Sequence, residues 1–128
     1  MPDFYSAAFY KEEDEFKSIY LIDKEYKLRV FSDSINEVPG KDIKFGSAVA
    51  VMDKFIALSN YSEKNDILKI LKIGEYIDSP IFIREIKGSI KIIKKGIINE
   101  NKGFWVIVDE DEKGLRRSRI QFWRKNID

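Results

Sequence analysis

The chain of 128 residues contains no cysteine and no histidine. Without cysteine it cannot form a disulfide, a thiolate zinc site or a thiol nucleophile. Without histidine it lacks the commonest general base, the commonest transition-metal ligand and the usual partner of a nucleophilic serine. A glycine-rich phosphate loop is missing as well. Carboxylate pairs, Lys, Tyr and oxygen-ligated metals remain open. Because no convergent set of such residues stands out, we expect a protein that is not an enzyme and that has no cofactor and no metal site.

Long hydrophobic runs are also missing, because no apolar stretch approaches the roughly 18 residues that a membrane span requires. The first residues lack the basic and apolar regions of a signal peptide. We therefore expect a cytoplasmic protein without membrane contact. What the chain does contain is 44% hydrophobic residues, with nine Phe, six Tyr and two Trp. This composition and length predict a single globular domain, 1–128, with a substantial core.

Charge is distributed unevenly, although the net charge is only +1. Residues 1–44 carry 7 basic and 10 acidic side chains, whereas residues 84–128 carry 12 basic and 7 acidic ones. The front of the chain is therefore acidic and its tail is basic. This asymmetry predicts two different surfaces, either of which could meet a charged partner.

A short pattern of two small residues followed by apolar ones occurs twice, as GSAVAV at 46–51 and as GSIKII at 88–93. Each copy follows a segment that begins with a tyrosine, Tyr10 or Tyr61, and continues through acidic residues to a bulky apolar one. The spacing predicts two related β units, 5–52 and 55–94, followed by a C-terminal hairpin at 103–125.

Alternation of apolar and polar residues predicts β-strands along most of the chain. Turn-forming residues predict a loop at 32–40 and a hairpin turn at 109–114. Segment 67–73 fits a helix by its spacing, but it is short and rich in β-branched residues, so we favour a strand. The predicted fold is all-β: a two-sheet Greek-key sandwich or barrel with a C-terminal β-hairpin.

Residues 9–16 with 47–51, and residues 61–67 with 89–92, resemble the Greek-key units of the βγ-crystallin family. The resemblance implies paired β units and, in many members, calcium bound through Asn or Asp side chains a few positions before the serine. Here Ile43-Lys44 and Arg84-Glu85 take those positions, so we expect calcium binding to be lost. The chain also has Ser18 and Lys69 where the family has glycine.

Two charged clusters are candidate partner-binding sites. The acidic patch could dock a basic protein, but a solvated turn is the favoured interpretation; it consists of Glu12, Glu13, Asp14 and Glu15. The basic arm combines cations with an aromatic side chain, as a phosphate-binding surface with stacking side chains does. The acidic residues of the same hairpin would partly neutralise its charge. The arm consists of Arg116, Arg117, Arg119, Trp123 and Arg124. Further lysines extend the basic side or protect an exposed strand from edge pairing; they are Lys87, Lys91, Lys94 and Lys95.

These features favour a non-catalytic protein-binding domain. The specific hypothesis is an inhibitor or immunity protein that neutralises a partner enzyme or toxin, such as a nuclease, through a charged patch. A structural or stress-related β module of crystallin type is the first alternative. The second is a small RNA-binding module that uses the basic arm, although we favour a protein partner over nucleic acid. The oligomeric state stays open.

Overall fold

A computed structural model describes residues 3–32, 37–38, 46–61, 65–73 and 81–124. Within these ranges the chain forms eleven β-strands and no helix. In chain order the strands are β1 (Phe4–Glu12), β2 (Glu15–Asp23), β3 (Leu28–Ser32), β4 (Glu37–Val38), β5 (Val49–Met52), β6 (Phe55–Asn60), β7 (Asp66–Lys72), β8 (Phe82–Ile86), β9 (Ser89–Ile98), β10 (Asn101–Glu112) and β11 (Leu115–Arg124).

The strands form three antiparallel sheets. The first sheet has the order β1-β2-β3-β4, the second β5-β6-β7-β8 and the third β11-β10-β9. The all-β class and the C-terminal hairpin, β10 with β11, are confirmed. Among the described strands no sheet closes into a barrel, which agrees with the sandwich alternative. Two details differ from the sequence prediction: these strands form three sheets rather than two, and the neighbours in each sheet are consecutive strands rather than strands in Greek-key order.

The second sheet is the middle layer of the fold. It needs a covering sheet on each face, which explains why the fold has three sheets rather than two. Alternate residues of its strands, such as Ala50 and Ala57, pack against the third sheet, whereas Val49 and Leu58 pack against the first. All four residues of β5 are buried. A strand that is apolar on both faces needs a cover on each side, so the sandwich has three layers.

Two hydrophobic cores result, one on each side of the middle sheet. The core toward the third sheet includes Phe104, Val106 and Ile90, and the core toward the first includes Ile22 and Leu71. Removing a fully buried aliphatic side chain from such a core costs about 2–5 kcal/mol of unfolding free energy. The middle sheet therefore holds both outer sheets in place.

Segment 67–73 confirms the strand interpretation, because β7 covers Asp66–Lys72 and pairs with both β6 and β8. The predicted loop at 32–40 is wrong in part. Glu37–Val38 forms the short strand β4 beside β3, with Val38 opposite Val30, and a two-residue strand is too short to give a period-2 signal. Residues 33–36 and 39–40 lie outside the described residues.

The repeated glycine-serine pairs precede the first strand of the second sheet and of the third sheet. In each copy the backbone N–H two residues after the glycine donates to a buried side chain: Ala48 to Ser59 Oγ at 3.1 Å, and Ile90 to Asp66 Oδ2 at 2.9 Å. A Cβ atom at Gly46 would lie 2.3 Å from Ser59 Oγ, and one at Gly88, where φ is +110°, would lie 2.6 Å from the Asp109 carbonyl. Glycine is therefore required at both places.

The turn of the C-terminal hairpin differs from the one predicted at 109–114. The strands continue to Glu112 and Leu115, and the turn is Lys113-Gly114, both with positive φ. The four successive acids at 109–112 therefore lie within β10, although like charges close together on a sheet repel one another. They are accommodated because β11 places Arg116 opposite Asp111 and Arg117 opposite Glu110.

Candidate functional site

The edges of the three sheets meet on one side of the molecule. Among the described strands, β1, β5 and β9 each have a strand partner on one side only. The three edges line a groove with a volume of about 1320 Å³. Edge strands carry unpaired backbone N–H and C=O groups and are therefore the places where another chain can pair with a sheet.

Ser6 covers part of this exposed backbone. Its Oγ accepts a hydrogen bond from Val49 N–H at 3.2 Å and donates one to the Val49 carbonyl at 3.3 Å. The serine on β1 therefore satisfies both backbone groups of a buried residue on the edge of β5. This contact fixes the first sheet against the second and leaves β1 and β9 as the two unpaired edges of the groove.

Both of these edges are irregular beside the groove. Between Phe4 and Ser6 the register of β1 shifts, which makes Tyr5 an extra residue, and Lys91 is likewise extra on β9, between Ile90 and Ile92. A bulge bends its strand and changes the direction of a side chain. Tyr5 and Lys91 both line the groove.

The floor and one wall of the groove are apolar. Val49, Val51 and Ile93 line it from below, while Ile92 is 42% and Phe9 is 58% exposed to solvent. The Phe9 ring meets Phe16 edge-on, at 6.3 Å between ring centroids. The uncovered aromatic and aliphatic surface of Phe9 and Ile92 offers apolar contacts to a binding partner.

Tyr5 belongs to an aromatic pair at one end of the groove. Its ring stacks on Tyr26 at 5.0 Å, and Lys24 Nζ lies 4.0 Å from the Tyr5 ring centroid. The hydrogen bond between the two hydroxyls raises the pKa of Tyr26, and the charge of Lys91 opposes that rise. Lys91 is therefore close enough to act on this aromatic pair.

Charge is distributed unevenly along the groove. Lys91, Lys94 and Lys95 lie on its β9 side and are exposed, and none of them forms an ion pair with a described residue. On the β1–β2 side Glu13 and Asp14 line the groove together with Lys11, and Asp53 lines it from the β5–β6 turn. The groove therefore has a basic wall on β9 and acidic side chains at the other side.

The predicted acidic patch is the tip of the β1–β2 hairpin, as the turn interpretation expected. Glu13 and Asp14 form the turn with φ values of +51° and +63°, and Glu12 lies opposite Glu15. Glu12 accepts a hydrogen bond from the Tyr10 hydroxyl, which raises the pKa of Tyr10 to about 12. Only the two turn residues border the groove.

The predicted basic arm lies in the third sheet, away from the acidic patch, and much of its charge is paired internally. Glu110 is buried and binds Lys87 Nζ at 2.9 Å and Arg119 Nε at 3.1 Å. Arg119 Nη2 also donates to the Lys87 carbonyl at 2.6 Å. The hydrogen bond from Lys87, with the positive charges of Lys87, Arg119 and Arg117, lowers the pKa of Glu110. Arg119 is therefore used inside the fold.

Trp123 packs inward rather than forming an open stacking surface. Its ring lies 5.7 Å from that of Phe82, and the Arg84 guanidinium lies 5.4 Å from the Trp123 ring centroid. Trp105 lies opposite Phe122 and Trp123 opposite Phe104, so the two tryptophans lie on opposite faces of the sheet. Arg124 ends β11 opposite Gly103.

The positions that the crystallin resemblance assigns to calcium are occupied by other contacts in the second copy. Glu85 accepts a hydrogen bond from Asn65 Nδ2 at 2.7 Å, and Arg84 lies over Phe82 and Trp123. The first-copy positions, Ile43-Lys44, lie outside the described residues. Across 3–32, 37–38, 46–61, 65–73 and 81–124, no three acidic side chains are grouped in a way that could hold a metal ion.

Several groove residues were not recognised from the sequence as a site. Lys91, Lys94 and Lys95 were noticed, but as protection for an exposed strand. Phe9 and Ser6 look like ordinary strand residues, and only the assembly of three sheets brings them to β5 and β9. The available signal was the lysine cluster following an apolar Gly-Ser strand.

No protein-family model, no curated protein and no solved structure matches this chain. The part of the chain that the structure describes contains no helix that could cross a membrane. The resemblance to βγ-crystallins stays a prediction.

Proposed function

We propose that this chain is a non-catalytic protein-binding domain that holds an extended segment of a partner protein in the groove between β1 and β9. The observation that carries the proposal is the meeting of three sheet edges in one groove with an apolar floor. An extended segment placed there would pair with the free backbone of an edge strand and bury its side chains against Val49, Val51 and Phe9.

The size of the groove favours a polypeptide over a small molecule. Its volume of about 1320 Å³ exceeds the roughly 300–1,000 Å³ of typical small-molecule sites. The nine residues of β1 correspond to a length of roughly 30 Å at about 3.3 Å per residue. A partner segment of similar length would lie along the whole groove.

The pairing of charges on β11, where the predicted basic arm lies, favours a protein partner over nucleic acid at that surface. A phosphate-binding surface needs cations that can neutralise phosphates, whereas Arg119 is bound to Glu110 and Trp123 is packed against Phe82. Arg116 and Arg117 also face acidic residues across the hairpin. The groove offers apolar contacts that a phosphate backbone would not use.

Within this class, the specific form that we propose is an inhibitor or immunity protein that neutralises a partner enzyme or toxin. Such a protein must hold its partner through a rigid surface. The groove meets this requirement because its floor belongs to the middle sheet, which is buried on both faces.

Site-specific photo-cross-linking tests the proposal. A benzophenone amino acid replaces Phe9 in the groove, and a matched variant carries it at Ile120, which is 67% exposed on the third sheet. After irradiation in host cells, mass spectrometry identifies the attached peptide. We expect that position 9 becomes cross-linked to one segment of a partner protein and that position 120 does not become cross-linked to that segment. Equal capture at both positions, or none at position 9, would refute the groove as the binding site.

A further inference from the structure

The basic wall of the groove consists of three exposed lysines on β9. Lys91, Lys94 and Lys95 are exposed on β9 and form no ion pair with the residues that the structure describes. By contrast, Lys102 on β10 pairs with Asp53, and Lys87, in the turn before β9, pairs with Glu110. Three neighbouring cations that repel one another favour the approach of an anionic group.

The arrangement of these lysines follows the edge of β9. Successive residues of a strand point to opposite faces, so Lys94 and Lys95 place one ammonium group on each side of the exposed strand edge. Lys91, the extra residue of the bulge, adds a third charge on the same strand and lines the groove together with Tyr5. A segment lying along β9 would therefore have a cation near it at several points.

Apolar surface lies between and below these charges. Ile92 and Ile93 separate Lys91 from Lys94 along β9, and Phe9 of β1 also lines the groove. A wholly acidic segment would leave this surface uncovered, because carboxylates gain nothing from contact with it. A segment that alternates carboxylates with apolar side chains would match both features.

We infer that the groove selects acidic extended segments, in which aspartate or glutamate alternates with apolar residues and the carboxylates face β9. This inference rests on the proposed function and specifies its partner chemistry. Glu13 and Asp14, at the other side of the groove, disfavour acidic residues there. The carboxylates of the bound segment therefore lie on the β9 side and its neutral or basic residues lie beside the β1–β2 turn.

Selection from a displayed library of random peptides, about ten residues long to match the groove, tests this inference. The library is selected in parallel on the wild type, on Lys94→Glu/Lys95→Glu and on the control Lys72→Glu/Lys113→Glu. All four lysines are exposed, and each double variant changes the net charge by the same amount, from +1 to −3, since two lysines each lose +1 and gain −1. Lys72 and Lys113 do not line the groove. Circular dichroism verifies that both variants fold.

We expect the wild type and the control variant to select peptides rich in aspartate and glutamate. The Lys94→Glu/Lys95→Glu variant should select no such peptides, or should select basic peptides instead. A synthetic wild-type-selected peptide should bind that variant roughly tenfold more weakly, and should bind the wild type more weakly as salt shortens the screening length. A Lys94→Gln/Lys95→Gln variant should give an intermediate affinity.

The selected peptides are then cross-linked to the benzophenone variant at position 9. Peptides without acidic enrichment that still cross-link there would overturn the inference and leave the proposed function standing. Recovery of the same acidic peptides on Lys94→Glu/Lys95→Glu would also overturn it. If no peptide cross-links at position 9, the proposed function fails and the inference fails with it.

Discussion

Ser6 and Val49 are joined by two hydrogen bonds, in which one serine hydroxyl satisfies both the N–H and the carbonyl of a buried strand residue 43 positions away. The contact closes the edge of the middle sheet with a side chain instead of another strand. It thereby fixes the first sheet and leaves open the space between β1 and β9.

Replacing Ser6 with alanine should destabilise the fold by about 1–3 kcal/mol, because it leaves a buried donor and a buried acceptor without partners. Urea unfolding measures the change. Ser118→Ala is the matched control, since its exposed hydroxyl donates to Asp109, and its effect should stay within about 0.5 kcal/mol. Equal effects of the two substitutions would show that Ser6 does not join the sheets.

The three-layer arrangement predicts a large cost for truncating the middle sheet. Leu58 is fully buried toward the first sheet, whereas Leu115 is 64% exposed at the start of β11. Leu58→Ala should cost about 2–5 kcal/mol of unfolding free energy, and Leu115→Ala under about 0.5 kcal/mol. Similar values for the two variants in urea unfolding would contradict a middle sheet covered on both faces.

The buried carboxylate of Glu110 predicts a dependence of stability on pH. Its cationic neighbours lower its pKa in the folded state, so its contribution is present above the ordinary glutamate pKa of about 4.3 and is lost as the pH falls through the lowered value. Glu110→Gln should therefore destabilise at pH 7 and lose this effect on acidification. Glu13→Gln, in the exposed turn, is the control. Urea unfolding between pH 7 and pH 3 compares the three proteins, and a pH-independent effect of Glu110→Gln would rule out the ion pairs as its cause.

The raised pKa of Tyr10 predicts that the stability of the fold decreases in the alkaline pH range. The hydrogen bond to Glu12 and, to a smaller extent, burial raise the pKa of Tyr10 to about 12. Because the folded state holds the proton more tightly than the unfolded state, stability falls as the pH rises above about 10. Absorbance titration should show one tyrosine ionising near pH 12, absent in Tyr10→Phe and shifted downward in Glu12→Gln. An unchanged titration of Glu12→Gln would contradict this assignment.

Local patterns were sufficient to predict most of the strands, although not the two-residue β4. The almost uncharged run at 45–52 favours a strand at the centre of a sheet, and this prediction is wrong, because β5 is an edge strand that is buried since its sheet is the middle layer. The β-branched residues at 67–73 correctly outweighed a helical spacing. The turn of the last hairpin was misplaced because the repulsion among residues 109–112 is cancelled by arginines on the opposite strand. A cross-strand partner is not visible in a local pattern.

The groove could not be predicted from sequence, because its parts come from three sheets. Phe9, Val49 and Lys94 are far apart in the chain and each fits an ordinary strand. Lysines on an edge strand also protect it from aggregation, so Lys91, Lys94 and Lys95 had a sufficient explanation without a partner. Only their position beside the apolar floor of β5 gives these lysines a second explanation, which is the binding of a partner segment.

Hydrogen–deuterium exchange with a peptide selected on the wild type tests the central claim most directly. If the segment lies between the free edges of the first and third sheets, backbone amides of β1 (Phe4–Glu12) and β9 (Ser89–Ile98) should exchange more slowly when the peptide is bound, while those of β11 (Leu115–Arg124) should not change. Protection of β11, or no protection of either β1 or β9, would contradict the groove as the binding site.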